Sequence, residues 1–285
     1  MTTASDPLVL SRPAEIRAVL ADPRFTVDPV PRPPFALTVA WLRGAVGRFA
    51  EGAAHAGRRA AAEAVLAALD PGALRAEAFR LASRDTGPPE LVPVLVLAVA
   101  LGVRAEDGPE AVAAVAAIAP AYLPGPGPER GPGPGPGGAG TGTADEGLVR
   151  LSRLLGDPPP ERLALTAGLL AQAYGPMAGL VRAALAAAPA RSATGTWTVA
   201  ELLDETLRHD PPVRTLRRRA PGGRAVVLDV AAAGRSRDPD TARGPESART
   251  EGGPEYLTFG AGPRACPGRR VALALAAGTI EAAAR

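Results

Sequence analysis

Phe259-Gly260-Ala261-Gly262-Pro263-Arg264-Ala265-Cys266-Pro267-Gly268 holds the only cysteine of this 285-residue chain. Glycines at 260, 262 and 268 have no Cβ, so the backbone around the cysteine can turn tightly and come close to a flat partner. Arg264, two positions before the cysteine, presents a planar fork of donors that matches a carboxylate. Phe259 is placed to shield the sulfur from water. Val271 to Ala283 is apolar and Ala-rich, a helical pattern whose positive end would lie near the sulfur and favour the thiolate. A thiolate held in this way suits the axial position of haem iron, where it pushes electron density onto the metal and favours O–O cleavage. An inert buried thiol, the usual fate of a free cysteine, explains neither the glycine spacing nor the arginine.

Length and composition bound the remainder. A chain of 285 residues can bury a substantial core. One cysteine rules out an internal disulfide framework and fits a reducing compartment. The formal charge is +3 and the pI about 9.7, and every basic side chain apart from two histidines is arginine, with no lysine or asparagine present. Nucleic-acid binding calls for basic patches interleaved with aromatics, and aromatics are only 4% of the residues, so no nucleic-acid partner is expected. The opening Met1 to Pro7 lacks the basic start and apolar run of a secretory signal. The longest apolar run, Leu91 to Val103, is too short to span a bilayer and contains Pro93. The expectation is a cytoplasmic protein that does not engage a membrane.

Helical patterns dominate. Glu15 to Leu20, Ala53 to Leu69, Ala73 to Ser83, Glu90 to Leu101, Pro109 to Ala119, Glu146 to Leu155, Glu161 to Ala187 and Val199 to His209 are rich in Ala, Leu, Arg and Glu, with Pro and Gly at their ends. Strand signals are few: Arg224 to Val230 after the Pro221-Gly222-Gly223 turn, and Leu8 to Leu10. Leu123 to Thr143 is almost wholly Gly and Pro and reads as a loop. Its composition suits either a linker or a lid over a substrate entrance. His55 and Arg59 lie four apart, on one face of a predicted helix, and Glu205 and Arg208 lie three apart on another that ends at Pro211-Pro212.

The cysteine stretch resembles the ligand loop of the cytochrome P450 family, Phe-x-x-Gly-x-Arg-x-Cys-x-Gly, with every specified position filled. The resemblance implies a mainly α fold with a small β portion, a single haem domain over residues 1–285, and Leu123 to Thr143 as the variable cover of its pocket. It implies haem b (iron protoporphyrin IX) with Cys266 as the axial ligand. Phe259, Gly260, Gly262 and Gly268 would shape the loop, and His55, Arg59, Arg218 and Arg264 would hold the propionates. Arg217 is the alternative to Arg218. Glu205-Thr206-Leu207-Arg208 resembles the family's Glu-x-x-Arg helix, which implies a buried ion pair joined by a third arginine, here Arg249 or Arg243. Relative to the family the chain is short at both ends.

By the same resemblance the activity is monooxygenation of a small apolar molecule by O2, with electrons from NAD(P)H through a reductase and a ferredoxin-like carrier. Arg58, Arg269 and Arg270 would steer that acidic partner. The sequence departs from the family in Glu161 to Ala187. Oxygen-activating members carry an acid followed by threonine in mid-helix, whereas here the segment reads Ala171-Gln172-Ala173-Tyr174-Gly175-Pro176-Met177-Ala178-Gly179. Gly175 and Pro176 are candidates to open the helix for O2, and Tyr174 or Gln172 to anchor a water. A haem-binding relative without catalysis, or with a regulatory role, is the alternative, and a peroxide-using enzyme is a third reading.

Overall fold

The computed structural model describes residues 6–84, 87–123, 139–192, 197–236 and 256–284. Several of its helices start where the chain supplies a cap or a proline. α1 (Pro13–Ala21) opens on Pro13. α4 (Pro71–Ala82) follows Asp70, whose carboxylate accepts the Gly72 N–H at 2.9 Å. α9 (Val199–His209) begins with a reciprocal capping box between Thr198 and Glu201. α3 (Gly52–Ala67), α5 (Val92–Ala100), α6 (Gly108–Tyr122), α8 (Pro160–Ser192) and α11 (Arg269–Ala283) follow the Ala- and Leu-rich segments read from the sequence.

Two short helices carry little sequence signal. α2 (Val39–Ala45) begins where the Thr38 hydroxyl accepts the Trp41 N–H, and α10 (Val230–Arg235) where Asp229 accepts the Ala232 N–H. Both are stabilised mainly by burial, of Trp41 and Leu42 in one and Val230 and Ala231 in the other. α7 (Ala139–Leu154) corrects the reading of Leu123 to Thr143 as one loop: Leu123 ends α6, and 139–143 are helical. The close packing of α7 on α6, for which Gly147 leaves room beside the Ala114 carbonyl, overrides the local cost of glycine. Residues 124–138 lie outside the described residues, and the helices on either side of them share an interface.

Three apolar clusters form among the described residues. The largest joins α2 to α8 with the start of α11, around Leu42, Val115, Ile118, Tyr122, Leu148 and Leu170. A second packs the C-terminal half of α8 against α9 and α11. The third holds α1, the sheet and the residues leading to the cysteine. α8 contains a stretch, Pro160–Ala188, long and apolar enough to cross a membrane by length and composition, and 56% of its apolar window is buried inside the fold.

β1 (Leu8–Leu10), β2 (Thr215–Arg219) and β3 (Ala225–Asp229) form a sheet in the order β1-β3-β2, with β1 parallel and β2 antiparallel to β3. Gly222 and Gly223, at φ 88° and 86°, make the turn between β2 and β3. β2 escaped sequence reading because Thr-Leu-Arg-Arg-Arg has no apolar alternation. It is held by pairing to Val226 and Leu228, both fully buried.

α11 lies along α4 and touches α5, α8 and α9, so it ties the cysteine to the core. The closest approach is at Gly278, where a Cβ would stand 2.1 Å from the Arg75 carbonyl oxygen. Gly278→Ala is therefore expected to cost about 1–3 kcal/mol by forcing the helices apart, measured as a lower urea midpoint with an unchanged slope.

Candidate functional site

The cysteine loop is two tight turns in series. Leu257–Phe259 forms one and Gly262–Arg264 the next. Gly260 between them sits at φ 72°, ψ −175°, a conformation essentially reserved for glycine. Gly262 has φ 64°, and a Cβ there would stand 2.8 Å from the Leu20 oxygen, so the loop presses on the end of α1. The Cys266 N–H donates to the Phe259 carbonyl at 2.7 Å, closing the loop across both turns. Gly268 then caps α11, and its backbone N–H points to the sulfur.

The helix end and three guanidinium groups favour the thiolate, but they do not prevail. Burial pushes the Cys266 thiol up, against the opposing pull of the Gly268 N–H and of Arg48, Arg59 and Arg269. The residue keeps an exposed face while its sulfur lies deep enough to be desolvated. Phe259 packs into the α8–α9–α11 cluster, and the Arg269 guanidinium stands 5.7 Å from its ring centroid.

Arg59 and Arg264 brace the loop. The Arg59 Nη1 donates to the Ala265 carbonyl at 2.7 Å, while its Nε donates to Glu63. Arg264, 15% exposed, donates to the Ala50 carbonyl at 2.6 Å and to Glu51. His55 sits on the same face of α3 as Arg59, and its pKa is lowered by burial and by Arg264, Arg59 and Arg218. Arg218 lies on β2 between two outward-facing neighbours, with Arg219 paired to Asp28 at 2.6 Å. It is half-buried, donates only to the Arg217 carbonyl, and has no carboxylate partner among the described residues. Burial, with Arg264 and Arg48 nearby, brings its pKa down to about 10.

Arg48 and Glu51 belong to this site and carried no sequence signal. Arg48 bears on both Cys266 and Arg218, and Glu51 also accepts the Val27 N–H at 2.7 Å. Their neighbourhood is made by the fold.

Three expectations are corrected. Arg208 is exposed and pairs with Asp204 at 3.0 Å, one helical turn away, rather than forming a buried pair with Glu205. Asp204 also accepts the Tyr256 hydroxyl, so α9 is tied to the residue leading into the cysteine loop by that bond. Arg58 donates to the Gly44 and Val46 carbonyls at 3.0 Å each, closing the end of α2 rather than facing a partner. Gln172 turns its amide back onto the Gly168 carbonyl at 2.8 Å. Arg243 and Arg249 lie outside the described residues.

The residues fit a haem. Among the described residues no group of three or more His, Cys, Asp or Glu side chains is arranged to hold a bare metal ion. Around the sulfur stand Arg48, Arg59 and Arg269, and His55, Arg218 and Arg264 adjoin one another, whereas the nearby carboxylates Glu51 and Glu63 are already committed to Arg264 and Arg59. Among the described residues the cations around this thiol outnumber the carboxylates, which suits a dianionic ligand.

No protein-family model matches the sequence, and no curated protein does. Solved structures match over nearly the whole chain. P450BioI, crystallised with a hexadec-9Z-enoic acid-ligated acyl carrier protein, aligns at 18% identity and TM-score 0.68, covering 99% of this chain and 85% of that one. CalO2 aligns at 17% identity and TM-score 0.67, covering 98% and 83%. The P450 haem domain of Tepidiphilus thermophilus aligns at 18% identity and TM-score 0.67, covering 97% and 81%. The chain has the cytochrome P450 fold, mainly α with a small sheet.

With only two histidines, His55 can be followed by NMR titration. Its midpoint is expected below the usual histidine range in the ligand-free protein, and Arg264→Gln should raise it by removing the largest neighbouring positive charge. An unmoved midpoint would show that the two groups do not share a site.

Proposed function

We propose that the chain is a haem-thiolate monooxygenase, with a non-catalytic haem-binding protein as the second reading. The observation that carries the first is Cys266 just before α11, held by a glycine-shaped loop among more cations than carboxylates of the described residues. The P450 fold supports it. Haem b, when bound, would activate O2 so that R–H + O2 + 2e⁻ + 2H⁺ gives R–OH and water.

The protein's part is to bind and orient. Cys266 would hold the haem iron through its thiolate, and Gly260, Gly262 and Gly268 would let the backbone approach the macrocycle closely. Phe259, packed under Arg269, limits water at the sulfur side. His55 and Arg218 supply donors for propionates, and Arg59 and Arg264 have further N–H groups for them beyond those that brace the loop. The substrate is a small apolar molecule under α8. Electrons would reach the site from NAD(P)H by way of a reductase and a ferredoxin-like carrier, and Arg270, exposed at the start of α11, would attract that acidic partner. The protein works in the cytoplasm, as one haem domain.

The second reading rests on α8. Gly175 is exposed in mid-helix, no described atom comes within 4 Å of where its Cβ would stand, and the Gln172 amide is engaged by its own helix. Met177 is 4% exposed in the main core, so it is not available as a relay position.

The reduced, CO-treated protein is expected to show the strongly red-shifted Soret band of thiolate ligation, and Cys266→Ser should abolish it. A band that survives in Cys266→Ser overturns the assignment. Turnover with NADPH and a surrogate ferredoxin system separates the two readings, and turnover with peroxide alone would mark a partner-independent enzyme. Gly175→Asp with Pro176→Thr should raise the product formed per NADPH consumed, since both side chains then stand on the open stretch of α8. Met177→Thr should instead lower stability by about 1–3 kcal/mol, because it buries a hydroxyl in the core.

A further inference from the structure

Two buried polar atoms among the described residues lack any hydrogen-bond partner, Nε of Arg43 and Oη of Tyr122. They belong to one corner. Tyr122, the last residue of α6, is 0% exposed, and its ring meets the Phe49 ring edge-on with centroids 5.5 Å apart. Arg43, on α2, lays its guanidinium 4.8 Å from the centroid of the same Phe49 ring, and Arg48 approaches it at 6.0 Å. Gly168 lets α8 come close to this corner: a Cβ there would lie 2.7 Å from Val46 Cγ1 and 3.8 Å from the Tyr122 oxygen. Val46, Ile118 and Leu170 belong to the apolar cluster around it.

A buried hydroxyl and a guanidinium N–H are normally paired, so two orphans against one aromatic ring call for a partner. Both atoms are donors and the neighbouring charge is positive, so an anionic acceptor suits them best. The charges that act on Tyr122 are Arg43 and Arg48, and those on Arg43 are Tyr122 and Arg48, with no carboxylate among them. Burial raises the phenol far above its ordinary range, so it remains an O–H donor. A guanidinium and a phenol O–H together match the two oxygens of a carboxylate.

We infer that Arg43 and Tyr122 form a recognition site for the carboxylate of an otherwise apolar substrate. The inference rests on the proposed function and narrows its substrate class from a small apolar molecule to an amphiphilic acid. Haem propionates share the same chemistry, but His55, Arg59, Arg218 and Arg264 already offer them donors beside the cysteine loop.

Calorimetric titration of the purified holoprotein with dodecanoate and with methyl dodecanoate tests the site, in the wild type, Arg43→Gln and Tyr122→Phe. The acid is expected to bind and the ester to bind roughly tenfold more weakly, while each variant weakens the acid roughly tenfold and leaves the ester unchanged. Without ligand, Tyr122→Phe should melt no lower than the wild type, because it removes a hydroxyl that has no partner. The proposal is overturned if dodecanoate does not bind, if acid and ester bind alike, or if both variants keep the acid's affinity. A lower melting temperature for ligand-free Tyr122→Phe also overturns it, since that hydroxyl would then be satisfied by the protein or by internal water. Haem lost from either variant would assign the carboxylate to the cofactor instead. A wild type that purifies without haem refutes the monooxygenase reading, and the heat of dodecanoate binding is still measurable on it.

Discussion

The hydrogen bond from the Cys266 N–H to the Phe259 carbonyl is the constraint around which the site is organised. It spans two tight turns, and it forms only because Gly260 and Gly262 accept backbone angles that side chains resist. Once the loop is closed, its first half leans on α1, Arg264 fastens it to the start of α3, and Arg59 holds the Ala265 carbonyl. The sulfur is thereby delivered to the first turn of α11, whose other end is locked against α4 at Gly278. Loop, helix and core form one mechanical path from the thiol to the interior.

Electrostatics at the sulfur oppose one another. Backbone N–H and arginines favour the thiolate, and burial resists it more strongly, so the ligand-free thiol titrates above its usual range. Arg218 and His55 are pushed the same way, each toward its neutral form by burial and by neighbouring positive charge. Charges of one sign gathered in a partly buried place raise the free energy of the ligand-free protein, and an anionic ligand relieves it. Arg43 and Tyr122 repeat this theme at a second place, nearer α6 and α8, where the unsatisfied groups are hydrogen-bond donors set among apolar residues.

How much could be read in advance depended on how local each signal was. The cysteine loop was legible because its glycines, arginine and cysteine act on one another within ten positions. The long helices, α9 among them, were legible from runs of Ala, Leu, Arg and Glu with Pro and Gly at their ends. β2 was not, since three consecutive arginines carry no alternation and the strand exists by pairing with β3. α7 begins earlier than its glycines suggested, because contact with α6 outweighs propensity. The Glu-x-x-Arg spacing gave the face of a helix but not its partner: Asp204, one residue earlier, is the carboxylate that reaches Arg208. Likewise, Arg58 and Arg59 are adjacent in sequence and point to different tasks, one to the end of α2 and the other to the cysteine loop.

The sequence by itself determined the thiol, the glycines that let its loop turn and the helices that make up most of the chain, because these follow from short-range backbone freedom and propensity. The tertiary structure decided which charges meet. Arg48, just ahead of α3, and Arg218, on β2, are far apart in the chain, and only folding brings Arg48 close enough to Arg218 and to Cys266 to affect their pKa values. It also decided that Arg43 and Tyr122, far apart in the chain, share one aromatic ring with their donors unpaired. Coulomb and hydrogen-bond energies depend on distance in space and on exclusion of water, and neither quantity exists until the chain has packed.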